Sequence, residues 1–161
     1  MNSDRTLTIQ KIRDLVDEYH NGAHPLPTLM SLRREIAVML FRLTSHIKAA
    51  YGKKGYASVL RKYAFAREVV AARDMDLKAG GKPRALNAIE TSTEALDHVL
   101  QAKKAEVDAE AEWEEVKSVI DMGKQVLSSL QQEIADFRHE KSHTHFLDEA
   151  QQRDTLKGLG E

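Results

Sequence analysis

The chain has 161 residues, 42% hydrophobic and 30% charged, with a formal net charge of −1 and no cysteine. That length fits one domain with room for a sizeable core, and near-neutrality removes any global pull toward nucleic acid or membrane. Disulfides and thiolate chemistry are excluded, and with only three prolines the long uninterrupted stretches favour helices over an all-β design.

The first ten residues carry Asp4 and no apolar core, so no secretory signal is expected. The longest apolar run, residues 36–41, is six residues, whereas a membrane span needs roughly 20. Over 7–21, Ile9, Ile12, Leu15, Val16 and Tyr19 fall at helical spacing, with Thr6 or Ser3 placed to cap. Asn21-Gly22 ends this helix and His24-Pro25-Leu26-Pro27 makes a stiff connector, so 1–27 forms an N-terminal helix with its link.

Thr28 is the expected N-cap of a second helix, whose apolar stripe is Leu32, Ile36, Met39, Leu40, Leu43 and Ile47. Gly52 and Gly55 interrupt, and the stripe changes phase to resume as Tyr56, Val59, Tyr63, Ala66, Val70 and Leu77. The pattern predicts one long helix with the glycines as a place to kink. Gly80-Gly81-Lys82-Pro83 is the clearest turn, with Gly suited to a helix end and Pro to a helix start.

A third and longest helix is predicted over 84–141. Leu86, Ile89, Thr93, Leu96, Leu100 and Val107 are spaced as in a heptad. After a one-residue shift Trp113, Val116, Ile120, Gly123, Leu127, Leu130, Ile134 and Phe137 continue the stripe. Residues 142–161 are polar and are expected to form a flexible tail. The architecture expected is therefore all-α: a long antiparallel helical hairpin or coiled coil over 28–141, preceded by a short N-terminal helix. Charge supports the antiparallel layout. Residues 48–84 hold ten Lys or Arg against three acids, net +7, and residues 87–121 hold ten acids against three Lys, net −7. Folding at Gly81 lays the basic arm beside the acidic one. Two such helices cover only one stripe of each other, so a homo-oligomer is expected.

The run LRREIAVMLFRLTSHIKAAYGKKGYASVLRKYAFAREVVAAR, followed by AEVDAEAEWEEVKSVIDMGKQVLSSLQQEIADF, resembles a family of small helical proteins of tailed bacteriophages, encoded in the early region among recombination and replication genes. The resemblance spans roughly 30–138. It implies the cytoplasm of an infected bacterial cell, and a role in early phage metabolism or in countering a host defence system. It supplies no catalytic residues.

Three motifs invite sharper chemistry. His139-Glu140-Lys141-Ser142-His143 matches H-E-x-x-H, so His139 and His143 are candidate metal ligands with Glu140 as general base of a zinc hydrolase. A third ligand and a strand to align substrate are not evident, and a polar helix end explains the same residues. Gly52-Lys53-Lys54-Gly55 resembles a backbone-clamping GxxG loop. Lys53, Lys54, Arg61 and Lys62 are candidate nucleic-acid contacts, with Tyr51, Tyr56 and Tyr63 for stacking, although the same cations have an internal use against the acidic arm. The acidic run from Glu106 to Glu115 reads more simply as a helix face paired with lysines than as a metal site, and Trp113 is expected inside the hairpin. The function expected is non-enzymatic, without cofactor or membrane: an oligomerising interaction protein binding a host or phage protein. A nucleic-acid-binding accessory factor is the alternative.

Overall fold

The computed structural model describes residues 2–80 and 82–158, with side chains described over 3–80 and 82–141. Four helices follow one another: α1 Asn2–His20, α2 Leu26–Lys78, α3 Leu86–Glu94 and α4 Asp97–Gly158. No strand occurs among the described residues, and the long helices α2 and α4 pack against each other as an antiparallel helical hairpin. No described helix is long and apolar enough to cross a membrane. The chain divides into two compact units. One comprises residues up to 43 with those from 119 onward, and the other residues 44–118.

The first unit is a three-helix arrangement. Ile9, Ile12, Leu15 and Val16 of α1 are buried, as are Leu29, Leu32, Ile36 and Leu43 of α2, and Val119, Ile120, Val126, Leu130 and Ile134 of α4. Each helix thus contributes one stripe at three- and four-residue steps. Each fully buried Leu or Ile in that set stabilises by about 1.5–3 kcal/mol. Helix α1 begins five residues earlier than its apolar spacing suggests, because Asp4 suits a first helical turn and Thr8 donates through Oγ1 to the Asp4 carbonyl at 2.9 Å. Helix α2 likewise starts at Leu26 rather than after a Thr28 cap. The Pro25 carbonyl accepts from Thr28 N at 2.9 Å and Leu29 N at 3.2 Å, and the N–H that Pro27 lacks has no partner in a first turn anyway.

At Gly123 α4 comes close to α2. A Cβ built there would stand 2.8 Å from Leu40 Cδ2 and 3.3 Å from its Cγ. The Leu40 side chain therefore occupies the space that any larger residue at 123 needs.

The second unit is built from α2 beyond Leu43, α3 and α4 up to 118. Its buried apolar residues are mostly small: Ala50, Ala57, Ile89, Val99, Ala109 and Val116. Here the structure corrects the expected stripe. Tyr56, Val59, Tyr63, Val70 and Leu77 are exposed rather than turned into the hairpin. The buried phase does not change at the glycines, since α2 is helical throughout Leu26–Lys78. Every seventh residue from Leu29 through Ile36, Leu43 and Ala50 to Ala57 is buried.

The junction between the helices also differs from expectation. Residues 79–85 form the link, longer than the four-residue turn, and Gly80 takes a φ of 70°, the left-handed conformation suited to a residue just past a helix end. Asp76 ties the link back to α2. Its carboxylate accepts from Arg84 N at 3.1 Å and from Arg84 Nε at 3.0 and 3.1 Å. These hydrogen bonds hold the Asp76 carboxyl below its ordinary range, the side-chain bond contributing most.

The predicted continuous helix from 84 is broken at Ala95-Leu96 into α3 and α4. Thr91 donates to the Asn87 carbonyl and Ser92 to the Ile89 carbonyl, both at 2.8 Å. Such back-bonding by hydroxyls competes with the helix ladder and bends it, and Asp97 then opens α4 as a favourable first-turn acid. The break resets the phase. Ile89 and Thr93 are buried as expected, whereas Leu96, Leu100 and Val107 are exposed. Toward the C-terminus α4 stays helical to Gly158 along its backbone. The helix thus runs past residue 141, where the sequence pattern ended it and placed a loose tail; the side chains of 142–161 and the residues 159–161 lie outside the described residues.

Two outcomes follow. Gly123→Ala should lose stability in the wild-type background. In a Leu40→Ala background it should instead gain about 0.5–1 kcal/mol, the ordinary helical advantage of Ala over Gly. A double-mutant cycle by urea denaturation reads the sign change. The depressed Asp76 carboxyl stabilises the fold above the unfolded carboxyl value, near 3.9, and that stabilisation disappears as pH falls through its lower folded value. Asp76→Asn should therefore lower the melting temperature at neutral pH, and the gap to wild type should close on acidification.

Candidate interaction surface

In the second unit the antiparallel arms meet charge to charge. Lys53 Nζ lies 2.5 Å from Glu112 Oε2, Lys54 Nζ 2.8 Å from Glu110 Oε1 and Arg61 Nε 2.5 Å from Glu106 Oε2. His98 Nε2 lies 3.3 Å from Glu68 Oε1. Partner numbers on α4 fall as those on α2 rise, which is the antiparallel register. The Arg61 contact is ionic only, since Nε is out of line for a hydrogen bond. The hydrogen bond to Glu110, aided by the charges of Glu110 and Glu114, holds the Lys54 ammonium above its ordinary value.

Trp113 is half-buried within this ladder. Lys54 Nζ sits 4.1 Å from the ring centroid and Lys117 Nζ 5.0 Å, and the Tyr51 ring lies 6.2 Å away, tilted by 56°. The indole therefore serves as a cation–π platform that fixes the lysine stem as well as its charge. Three of the four candidate nucleic-acid contacts, Lys53, Lys54 and Arg61, are engaged with α4 acids; the fourth, Lys62, is exposed beside Tyr63. The acidic run has the paired role read from its sequence at Glu106, Glu110 and Glu112.

His139 is exposed on α4, while the side chain of His143 lies outside the described residues. Among the described residues no group of three or more His, Asp or Glu is gathered where a metal ion could be held. In the first unit an open groove of about 460 Å³ is lined by Tyr19, His20, His24, Ser129, Glu133 and Phe137, among others. Tyr19 donates to Glu133 Oε1 at 2.8 Å, and His24 Nε2 meets the Glu18 carbonyl at 2.8 Å. Burial and the Glu133 hydrogen bond both push the Tyr19 hydroxyl upward, so its proton stays in place at neutral pH. The groove can form hydrogen bonds.

The most distinctive surface is one that the sequence pattern assigned to the interior. Tyr56 and Tyr63 are each 66% exposed and Val70 is 58% exposed, at seven-residue intervals along one side of α2, with Val59 and Leu60 between them. On α4, Leu100 at 48% and Val107 at 57% are likewise seven residues apart. A signal for this was present. The stripe from Ile36 to Leu43, carried on by sevens, lands on Ala50 and Ala57 and leaves the tyrosines outside. No family model, curated protein or solved structure matches the chain.

The ladder gives a direct test. Replacing Lys53, Lys54 and Arg61 together by Glu should lower the melting temperature by more than the three single changes combined, because acids then face acids. Reversing Glu106, Glu110 and Glu112 to Lys in the same chain should recover most of the loss, measured by circular dichroism.

Proposed function

We propose that the chain is a non-enzymatic, oligomerising helical interaction protein, with its contact element on α2 between Tyr56 and Val70. One observation carries this reading: in the second unit α2 keeps Ala50 and Ala57 inside and turns Tyr56, Tyr63 and Val70 outward. Isolated apolar residues on a surface need no explanation, but a stripe at helical spacing is the pattern by which a helix seats against another. Tyrosine suits such a place, since its ring offers apolar area and its hydroxyl a polar tip. Following the resemblance to early-region phage proteins, the setting proposed is the cytoplasm of an infected bacterium, with a host or phage protein as partner and a host defence system as target.

A second reading is favoured by Lys62 and Tyr63, adjacent in the chain and both exposed. Exposed cations and aromatics on one segment are the elements from which a single-strand binding track is made. Here the chain would be an accessory factor in recombination or replication. Its weakness is that the neighbouring cations are neutralised by α4.

The two readings separate in one capture experiment on the full chain, with nuclease treatment and a Tyr56→Ser/Tyr63→Ser variant. Discrete proteins retained after nuclease by the wild type, and lost from the variant, are expected. If retention vanishes with nuclease, and the purified chain binds single-stranded DNA with a steep salt dependence, the assignment passes to nucleic acid. Identical retention by wild type and variant removes α2 as the contact element.

A further inference from the structure

The groove of the first unit, at the end of α1, is richer in acceptors than in donors. Tyr19 donates its hydroxyl hydrogen to Glu133 Oε1 at 2.8 Å, so that donor is used internally, and Glu133 Oε2 has no protein partner among the described residues. The Glu133 carboxylate is half-buried and its partner is a neutral hydroxyl. Asp76, Glu106 and Glu112, equally half-buried, each meet a Lys or Arg instead. His24 donates through Nε2 to the Glu18 carbonyl at 2.8 Å, which leaves Nδ1 of the neutral ring as a further acceptor. Helix α1 ends at His20, and the groove takes in His20, Gly22, Ala23 and His24, the residues at and just beyond that end. A helix C-terminus carries partial negative charge and favours cations near its last turn. Ring faces complete the lining: Tyr19 and His20 lie 5.1 Å apart, tilted by 51°, and Phe137 is 38% exposed.

We infer that this groove binds an alkylguanidinium, the side chain of an arginine presented by a partner protein, with Glu133 as its counter-ion. A planar guanidinium offers a fork of N–H donors to a carboxylate and its face to aromatic rings, which a compact ammonium does only in part. The aliphatic stem of the arginine lies against Phe137 while the charged head reaches Glu133. The volume of about 460 Å³ is within the range of small-ligand sites. Other ligand classes fit the groove less well. An anion would meet the Glu133 charge and the negative end of α1, and a purely apolar group would cover Glu133 Oε2 without giving it a hydrogen bond. The Tyr19 bond holds the carboxylate in place before a ligand arrives, so less side-chain freedom is lost on binding. The site lies wholly in the first unit and does not depend on the α2 stripe.

The test is an NMR titration of the full chain with acetyl-Gly-Arg-Gly-amide, and with the same peptide carrying citrulline, the neutral isostere of arginine. The arginine peptide is expected to give saturable shifts of the Tyr19 and Phe137 ring signals, and the citrulline peptide to bind at least about tenfold more weakly. Glu133→Gln keeps an oxygen to accept from Tyr19 and removes only the charge. It should therefore fold with wild-type helicity by circular dichroism and lose at least about tenfold in affinity for the arginine peptide. Asp136→Asn removes an exposed carboxylate that is not part of the groove lining, and should bind as wild type does. Tyr56→Ser/Tyr63→Ser should also bind as wild type does, which keeps this result separate from that of the α2 stripe. Absence of saturable shifts at the two rings overturns the inference, as does equal binding of the citrulline peptide or wild-type affinity in Glu133→Gln. A loss in Asp136→Asn or in Tyr56→Ser/Tyr63→Ser as large as that in Glu133→Gln overturns it too, since the arginine is then not held in this groove.

Discussion

The seven-residue recurrence of buried positions on α2 and α4 is the constraint from which the rest of the structure follows. On α2 it runs Leu29, Ile36, Leu43, Ala50, Ala57; on α4 it runs Ala109, Val116, Gly123, Leu130. A helix can repeat a contact every seven residues only if each position in the series fits the space its neighbour leaves. In the first unit that fit uses bulky aliphatics relieved by one glycine opposite Leu40. In the second it uses alanine, and the Lys53–Glu112, Lys54–Glu110 and Arg61–Glu106 ion pairs join the same two helices. The frame of that unit therefore depends on small residues that are themselves nearly featureless in sequence.

That dependence explains what was legible from the amino acids and what was not. The all-α architecture, the doubling back near residue 81 and the facing of basic and acidic arms could all be read, because helical periodicity and block charge are carried by conspicuous residues. In the first unit the stripe Leu32, Ile36 and Leu43 on α2 and the run Ile120, Leu130 and Ile134 on α4 are buried as their spacing indicates. In the second unit reading fails for a definite reason. Apolar size marks an interior position only where the larger residues face inward, and Tyr56, Tyr63 and Val70 outweigh Ala50 and Ala57 in any hydropathy pattern. Periodicity says which residues share a face but not which of two faces points inward. The break at Ala95-Leu96 leaves no mark in the stripe because Thr91 and Ser92 act through hydroxyl bonds to the Asn87 and Ile89 carbonyls, a local effect that periodicity does not record.

The candidate sites follow the same logic. Lysines flanked by glycines suggest a clamp on a nucleic-acid backbone until the opposite helix supplies Glu110 and Glu112, after which they are half of a ladder. Trp113, expected as a buried packing residue, is half-buried and works through its ring face, held between Lys54 and Lys117. The stripe that remains unpartnered on α2 was visible as a pattern but not as a surface. Its recognition needs the knowledge that α2 stays helical through Gly52 and Gly55, so that the inward direction set by Ile36 and Leu43 persists.

The interruption at Ala95-Leu96 has a consequence for how the sequence can change length. Within α4 a single inserted or deleted residue turns everything beyond it by about 100°, which would carry Val116, Ile120 and Leu130 off the seam together. Within 79–85, or at the joint between α3 and α4, the same change falls on backbone that is not part of a long ladder and can be taken up locally. The turning end thus has two places where length variation is tolerable, while the longest helix is locked in frame from Asp97 onward.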